Sequence, residues 1–290
     1  MQEKKFQKPM TIDEQIINLK KINLVIDDED YAKQFLNQVS YYRLIKAYSI
    51  GLKSTNGKYL DNINFDHIVR LYKFNGKLRQ LLFHLFERIE INFRCSISNY
   101  FSLKYGLTAY KCPEYFANTN YHSDFLNDIN TEISRNSRSP FVRNYTQNYP
   151  NGDIPFYALI ELFSFGTLSK FYKNLFNTDK KEIAKEYNVG YTYLESWLES
   201  ISYVRNICAH YGRVYNAILT KRPVLYNQYV EQGINNARIF SIIICLHHIL
   251  PNDGMWKDFV KNLQNLISYY QDILNMDAIG FPANWLDILK

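Results

Sequence analysis

The sequence predicts an all-α protein, and three observations carry that expectation. Apolar residues recur at steps of three and four along nearly the whole chain, no alternating apolar and polar run exceeds a few residues, and no fixed-period repeat or low-complexity block interrupts the pattern.

The elements follow in order. Thr11 and Glu14 form a capping box, and Ile12, Ile16, Leu19 and Ile22 continue it as one face of a first helix. A second helix starts near Asp27 or Asp28 and carries Tyr31, Phe35 and Leu36, and a third begins at about Ser40 with "SYYRLIKAYSI". The Asn56-Gly57 turn dipeptide breaks the pattern inside an exposed loop, 53–64. From Phe65 to Tyr105 the apolar stripe Leu71, Phe74, Leu78, Leu81, Leu85, Ile89, Phe93, Ile97 and Tyr100 predicts one long helix, or two with a kink at Gly76. Its other face holds Arg79, Glu87, Arg88, Glu90 and Arg94, with Glu90 and Arg94 as a favourable i,i+4 pair. A helix is expected over 124–133 and turns over 135–140 and 148–155. Further helices are expected at 156–163, 167–176, 179–187 and 191–218. A loop over 219–235 precedes helices at 236–249 and 255–274. The expected organisation is an N-terminal helical segment (1–52), a helical core (65–218) and C-terminal helices (236–290), joined as one compact unit.

At 290 residues the chain suffices for one large or two ordinary domains, and its 47% of apolar residues suits a protein with a full core. The longest apolar run, Ile239–Leu250, is too short to span a bilayer and contains His247 and His248. Met1 to Met10 is charged and lacks the apolar run of a secretory signal, so a cytoplasmic location away from membranes is expected. Cys95, Cys112, Cys208 and Cys245 stand far apart with no CxxC pair, which argues against a zinc site or a disulfide framework and leaves them as small reduced core residues. No other cofactor is implied. The net charge of +6 suits an anionic partner such as nucleic acid or a membrane surface, and equally a plain basic protein. The 25 Tyr and 19 Phe could stack on bases, but core packing accounts for them as well.

The segment "SYVRNICAHYGRVYN" (202–216) carries the candidate chemistry. On a helical wheel of roughly 100° per residue, Tyr203, Val204, Ile207, Cys208, Tyr211, Val214, Tyr215 and Ile218 share one apolar sector. Arg205, Asn206, His210, Arg213 and Asn216 share the other with small residues. Asn206, His210 and Arg213 fall at i, i+4 and i+7, so Asn206 can orient the His210 ring and fix its tautomer. Ala209, Gly212 and Asn216 flank Arg205 and leave room for a close approach. Arg205 and His210 diverge by about 140° and lie about 7.5 Å apart along the axis, so one regular helix does not aim both at one phosphate. Two copies about a two-fold axis would, with Arg205 of one chain facing His210 of the other.

The chemistry this pair suits is RNA cleavage without a metal. A histidine titrating near neutral pH takes the proton of a ribose 2′-OH or returns one to the leaving 5′ oxygen, while a guanidinium neutralises the phosphorane. Products would carry 2′,3′-cyclic phosphate and 5′-OH ends. A bare R-x4-H spacing occurs in many proteins, so the pattern alone leaves a plain solvated helix face open as the alternative.

"RNICAH" resembles the R-x4-6-H signature of HEPN ribonucleases, with a polar residue (Asn206) after the arginine. "KPMTIDEQI", "SYYRL", "FERIEINFR", "LFSFGTLSKFY" and "SYVRNICAHYGRVYN", in order from Lys8 to Asn216, resemble the Abi-like abortive-infection proteins of the AbiD/AbiF type. The resemblance implies a HEPN-type helical bundle with N- and C-terminal extensions, homodimerisation around the motif, and metal-independent endoribonuclease activity used as a toxin or in phage defence. An RNA substrate and a small non-coding RNA regulator are the partners it implies. It places Arg205 and His210 in the catalytic positions and Asn206, Arg213 and Asn216 in supporting ones. Glu87, Arg88 and Arg94 match the polar positions of the long-helix segment. The chain departs from the family after the histidine, where Tyr211 stands in place of a common second histidine, and Gly212 and Tyr215 also differ. The wheel turns Tyr211 and Tyr215 toward the core. A catalytically silent HEPN module that binds RNA or protein remains the alternative, and a helical scaffold without an RNA role a third.

Overall fold

The computed structural model describes residues 8–290 and is all-α: among them no strand forms, and only two isolated bridges, Val25 with Asn64 and Lys53 with Tyr59, join extended segments. Residues 1–7 of the charged N-terminal stretch lie outside the described residues. The order is α1 Ile12–Lys21, α2 Glu29–Gln38, a π-helical turn Tyr42–Lys46, α3 Phe65–Tyr105, α4 Thr119–Arg135, α5 Pro140–Asn148, α6 Phe156–Leu159 and α7 Phe165–Lys173. It continues with α8 Asn177–Lys185, α9 Tyr191–Ala209, α10 Asn227–Glu231, α11 Ile239–Ile249, α12 Gly254–Tyr270, α13 Met276–Ile279 and α14 Trp285–Ile288. No helix among the described residues is long and apolar enough to cross a membrane.

Two compact units result, one from the described residues up to Arg79 with Leu263–Asn275, the other from Gln80–Asn262 with Met276–Lys290. In the first, the capping box forms as expected, with Thr11 N donating to Glu14 Oε2 at 2.7 Å and Glu14 N to Thr11 Oγ1 at 3.3 Å. The third expected helix forms over 41–48, with the π-helical turn Tyr42–Lys46 at its centre. Arg70 grips Asp272 through two bonds of 2.6 and 2.7 Å, a bidentate guanidinium-carboxylate pair. Phe35 and Phe65 pack edge to face, and Ala32 and Leu36 of α2 are buried.

In the second unit the buried residues Leu82, Leu85, Phe86, Ile89, Phe93, Ile97 and Phe101 run along one side of α3. Gly76 does not break this helix, which runs uninterrupted for 41 residues. Phe101, Phe116, Phe125, Phe156, Phe163 and Phe171 form one aromatic cluster with ring centroids 4.8–6.4 Å apart. These rings are core residues, not exposed stacking platforms. The carboxylate of Asp179, wholly buried at the start of α8, takes hydrogen bonds from Tyr100 at 2.8 Å, Tyr105 at 2.9 Å and Lys104, which joins α8 to the end of α3. A buried charge needs such partners. Cys208 and Cys245 are core residues as expected, whereas Cys95 is exposed on α3.

α9 lies against α7, α8 and α11. Leu194, Trp197, Leu198, Ile201, Val204 and Cys208 give it a continuous buried face at helical spacing. The segment 219–235, expected to be a loop, is pinned to α9: Trp197 Nε1 donates to Val224 O at 2.6 Å and Val224 N to Ser196 Oγ at 2.9 Å. Within it α10 forms, and Tyr229 hydrogen-bonds His248 of α11 at 2.9 Å.

Candidate functional site

The expected helix over 191–218 stops early. α9 ends at Ala209, His210 is its C-cap, and Tyr211 follows with φ at +57°. Gly212 N donates to Ile207 O at 2.7 Å and Tyr211 N to Cys208 O at 3.2 Å, the paired bonds of a Schellman end. Residue types explain the stop. A Cβ on Gly212 would lie 2.7 Å from Ile207 Cγ2 and 2.9 Å from its carbonyl oxygen, so only glycine permits this return of the chain. The left-handed position itself, usually glycine, is held here by a tyrosine, which stores about 1 kcal/mol of backbone strain next to His210.

The early end changes the expected wheel. Tyr211 and Ile218, placed in the apolar sector, are 69% and 65% exposed, because neither lies on the helix. Val214 and Tyr215 are buried all the same, packed from the turn and not from a helix face. Arg213 and Asn216 are likewise not helical neighbours of His210. Arg213 folds over the turn and donates to the carbonyls of Tyr215 and Asn216 at 2.8 and 2.7 Å, while Arg238 donates to Asn216 Oδ1 at 3.2 Å. The line of small residues beside Arg205 therefore ends at Ala209.

Arg205 lies on the last full turn of α9, whereas His210 caps the helix with φ −92° and ψ 20°. His210 is exposed, and its backbone N–H donates to Asn206 O at 3.0 Å. Arg205 is half-buried against α3. Its Nε pairs with Glu90 Oε2 at 3.2 Å, and its NH1 donates to Asn206 Oδ1 at 3.3 Å. Asn206 thus holds the arginine, where the sequence suggested that it would hold the histidine ring. The guanidinium also lies 5.7 Å from the ring of Phe83. With Nε and Nη1 engaged, Arg205 lines a depression together with Phe83, Glu87, Glu90, Ile91 and Arg94.

Glu90 is the residue that the sequence did not mark as part of this group. Its second oxygen accepts from Arg94 NH2 at 3.0 Å, so one carboxylate bridges two arginines. Arg94 is fixed in turn by the carbonyls of Ile160, Glu161 and Phe163 at 3.0–3.1 Å. Phe83, Glu87, Glu90 and Arg94 fall at i, i+4, i+7 and i+11 and so share one stripe of α3. Arg88 lies outside the stripe and does not join them. It pairs with Asp253 at 2.7 Å and holds that carboxyl at about 2, well below the usual range. Of the expected long-helix residues, Arg94 and Glu87 stand near Arg205 and Arg88 does not.

The arrangement offers a guanidinium held by Glu90 and Asn206 at the edge of a depression, and an exposed imidazole five residues on. Such a guanidinium can bind a phosphate and stabilise charge developing on it. Among the described residues no group of three or more His, Cys, Asp or Glu stands where it could hold a metal ion.

The family model described as Abi-like protein matches residues 34–216, more than half of the chain. The match takes in the Phe83–Arg94 stripe and ends with the turn after His210. No curated protein and no solved structure gives a match.

Proposed function

The chain belongs to the Abi-like protein family, and from that premise we propose that it is a HEPN-type, metal-independent endoribonuclease that acts as a toxin in abortive infection against phage. The observation that carries this reading is the anchoring of Arg205: Glu90 and Asn206 fix the guanidinium from behind and leave its outer edge to a phosphate. His210 removes the proton of a ribose 2′-OH, and that oxygen attacks the adjacent phosphorus. Arg205 neutralises the charge of the phosphorane, and the 5′ oxygen leaves with a proton from the imidazolium or from water. Cleavage therefore yields 2′,3′-cyclic phosphate and 5′-OH ends.

Because an ideal helix turns residues five apart by about 140°, this reading makes the working site composite, with Arg205 of one chain and His210 of a second. Exposed Phe83 and Ile91 beside Arg205 give the second chain an apolar surface to cover. A small non-coding RNA is the regulator that this reading includes.

The test is cleavage of RNA by the purified full chain in EDTA, with Arg205→Ala and His210→Ala beside the parent. Each variant loses about two orders of magnitude or more, and a 2′-deoxy residue at the cut site blocks the parent. Undiminished cleavage in both variants overturns the assignment. RNA binding with steep salt dependence but no cleavage by the parent would make the chain a silent binding module.

A further inference from the structure

A cleft of about 460 Å³ lies in the second unit between α4, α7 and α9, within the size range of small-ligand sites. α9 contributes Glu199, Tyr203 and Asn206 to its wall. These positions fall at i, i+4 and i+7 on α9, and His210 follows four residues after Asn206 as the cap of the helix. The cleft therefore runs along the face of α9 that leads to the cap residue His210, whereas Arg205 pairs with Glu90 of α3 and touches the cleft only through Asn206. Along the axis Asn206 and Tyr203 lie about 6 and 10.5 Å from His210.

The lining combines apolar and acidic groups suited to a base with three lysines, Lys170, Lys173 and Lys221. Buried Phe125 and Phe171 supply an apolar floor, and Tyr121, 58% exposed, stands at the rim. On α4, Asp124 and Asp128 are exposed one turn apart and form no ion pair or hydrogen bond through their carboxylates among the described residues. Two such carboxylates repel a phosphate and accept hydrogen bonds from an exocyclic amino group. Glu199 is already committed, since Lys221 at 2.5 Å and Lys173 at 3.3 Å hold its carboxyl below its usual range. Lys170, exposed on the same cleft and without an ion pair among the described residues, gives the backbone beyond the base a cation.

We infer that this cleft is the nucleobase subsite of the substrate RNA, taking a base with an exocyclic amino group next to the phosphate presented to His210. The inference rests on the ribonuclease reading for the identity of the substrate, and on the cleft alone for its chemistry. Single-stranded RNA is read in this manner, with splayed bases stacked on aromatic side chains and bonded along their edges. The subsite gives the enzyme a preference against uracil at one position beside the cut.

The experiment measures binding of cytidine, adenosine and uridine to the full chain by saturation-transfer NMR, with the Asp124→Ala/Asp128→Ala double variant and Tyr121→Ala for comparison. Both variants change exposed side chains and leave the core intact. Cytidine and adenosine bind the parent about fivefold or more tightly than uridine, in line with one hydrogen-bonded base edge. The double variant loses that discrimination, and Tyr121→Ala weakens all three. Absence of nucleoside binding, equal binding of the three, or discrimination unchanged in the double variant overturns the subsite. Cleavage in EDTA is read separately: cleavage without nucleoside discrimination refutes the subsite alone, and discrimination without cleavage refutes the ribonuclease reading alone.

Discussion

Arg205 Nε and Glu90 Oε2 stand 3.2 Å apart, joining α9 to α3 within the second unit, and the same carboxylate takes Arg94 through its other oxygen at 3.0 Å. Glu90 orients the guanidinium but also places negative charge beside the position of a phosphate. Glu90→Ala is therefore expected to lower turnover about 30-fold through lost positioning while RNA affinity stays equal or rises. Single-turnover cleavage with a separate binding titration checks this. Unchanged turnover would show that the ion pair serves packing only.

Arg88 and Arg94 should part company. Arg88→Ala removes a partly exposed pair with Asp253, and is expected to cost about 0.5 kcal/mol and leave cleavage intact. Arg94→Met orphans three carbonyls and frees Glu90, and is expected to cost about 2–3 kcal/mol and reduce cleavage. Urea unfolding and the cleavage assay, run on both variants, separate the two roles.

The turn after His210 predicts opposite outcomes for adjacent residues. Tyr211→Gly relieves the left-handed strain and is expected to stabilise the fold by about 1 kcal/mol. Gly212→Ala drives a methyl group into Ile207 and is expected to destabilise it by about 2 kcal/mol. Thermal melts of the two variants decide the matter, and a shift of the same sign in both would contradict the geometry.

Burial lowers the pKa of His248 to about 4, with His247 beside it as a second cause, and burial lowers that of His247 as well. Their neutral forms are the ones the fold accepts. Stability is thus complete above the unfolded value near 6.5 and is lost as pH falls toward 4, by about 2 kcal/mol. Urea midpoints between pH 7 and 4 measure the slope, and His248→Gln should flatten it.

Much of this was legible in the sequence. The Thr11–Glu14 box announced α1, and apolar spacing gave the extent of α3, with a kink at Gly76 left open, and placed Val204 and Cys208 on the buried side of α9. The end of α9 was hidden because Val214 and Tyr215 continue the apolar rhythm after the helix has stopped, and because a tyrosine fills the place where glycine usually signals the end. α5 was missed because Pro140 suggested a turn, whereas proline at the first helical position starts a helix as readily. Glu90 showed its partner Arg94, four residues away, but Arg205 is distant in sequence, and only packing of α9 beside α3 brings it close.

The central claim is a composite site that cuts RNA with Arg205 of one chain and His210 of another. Mixing Arg205→Ala and His210→Ala chains under subunit exchange tests it most directly. Each variant alone is inactive, and the mixture should regain roughly a quarter of parental cleavage, because half of the dimers are mixed and each holds one intact site. A mixture as inactive as its components would contradict the account.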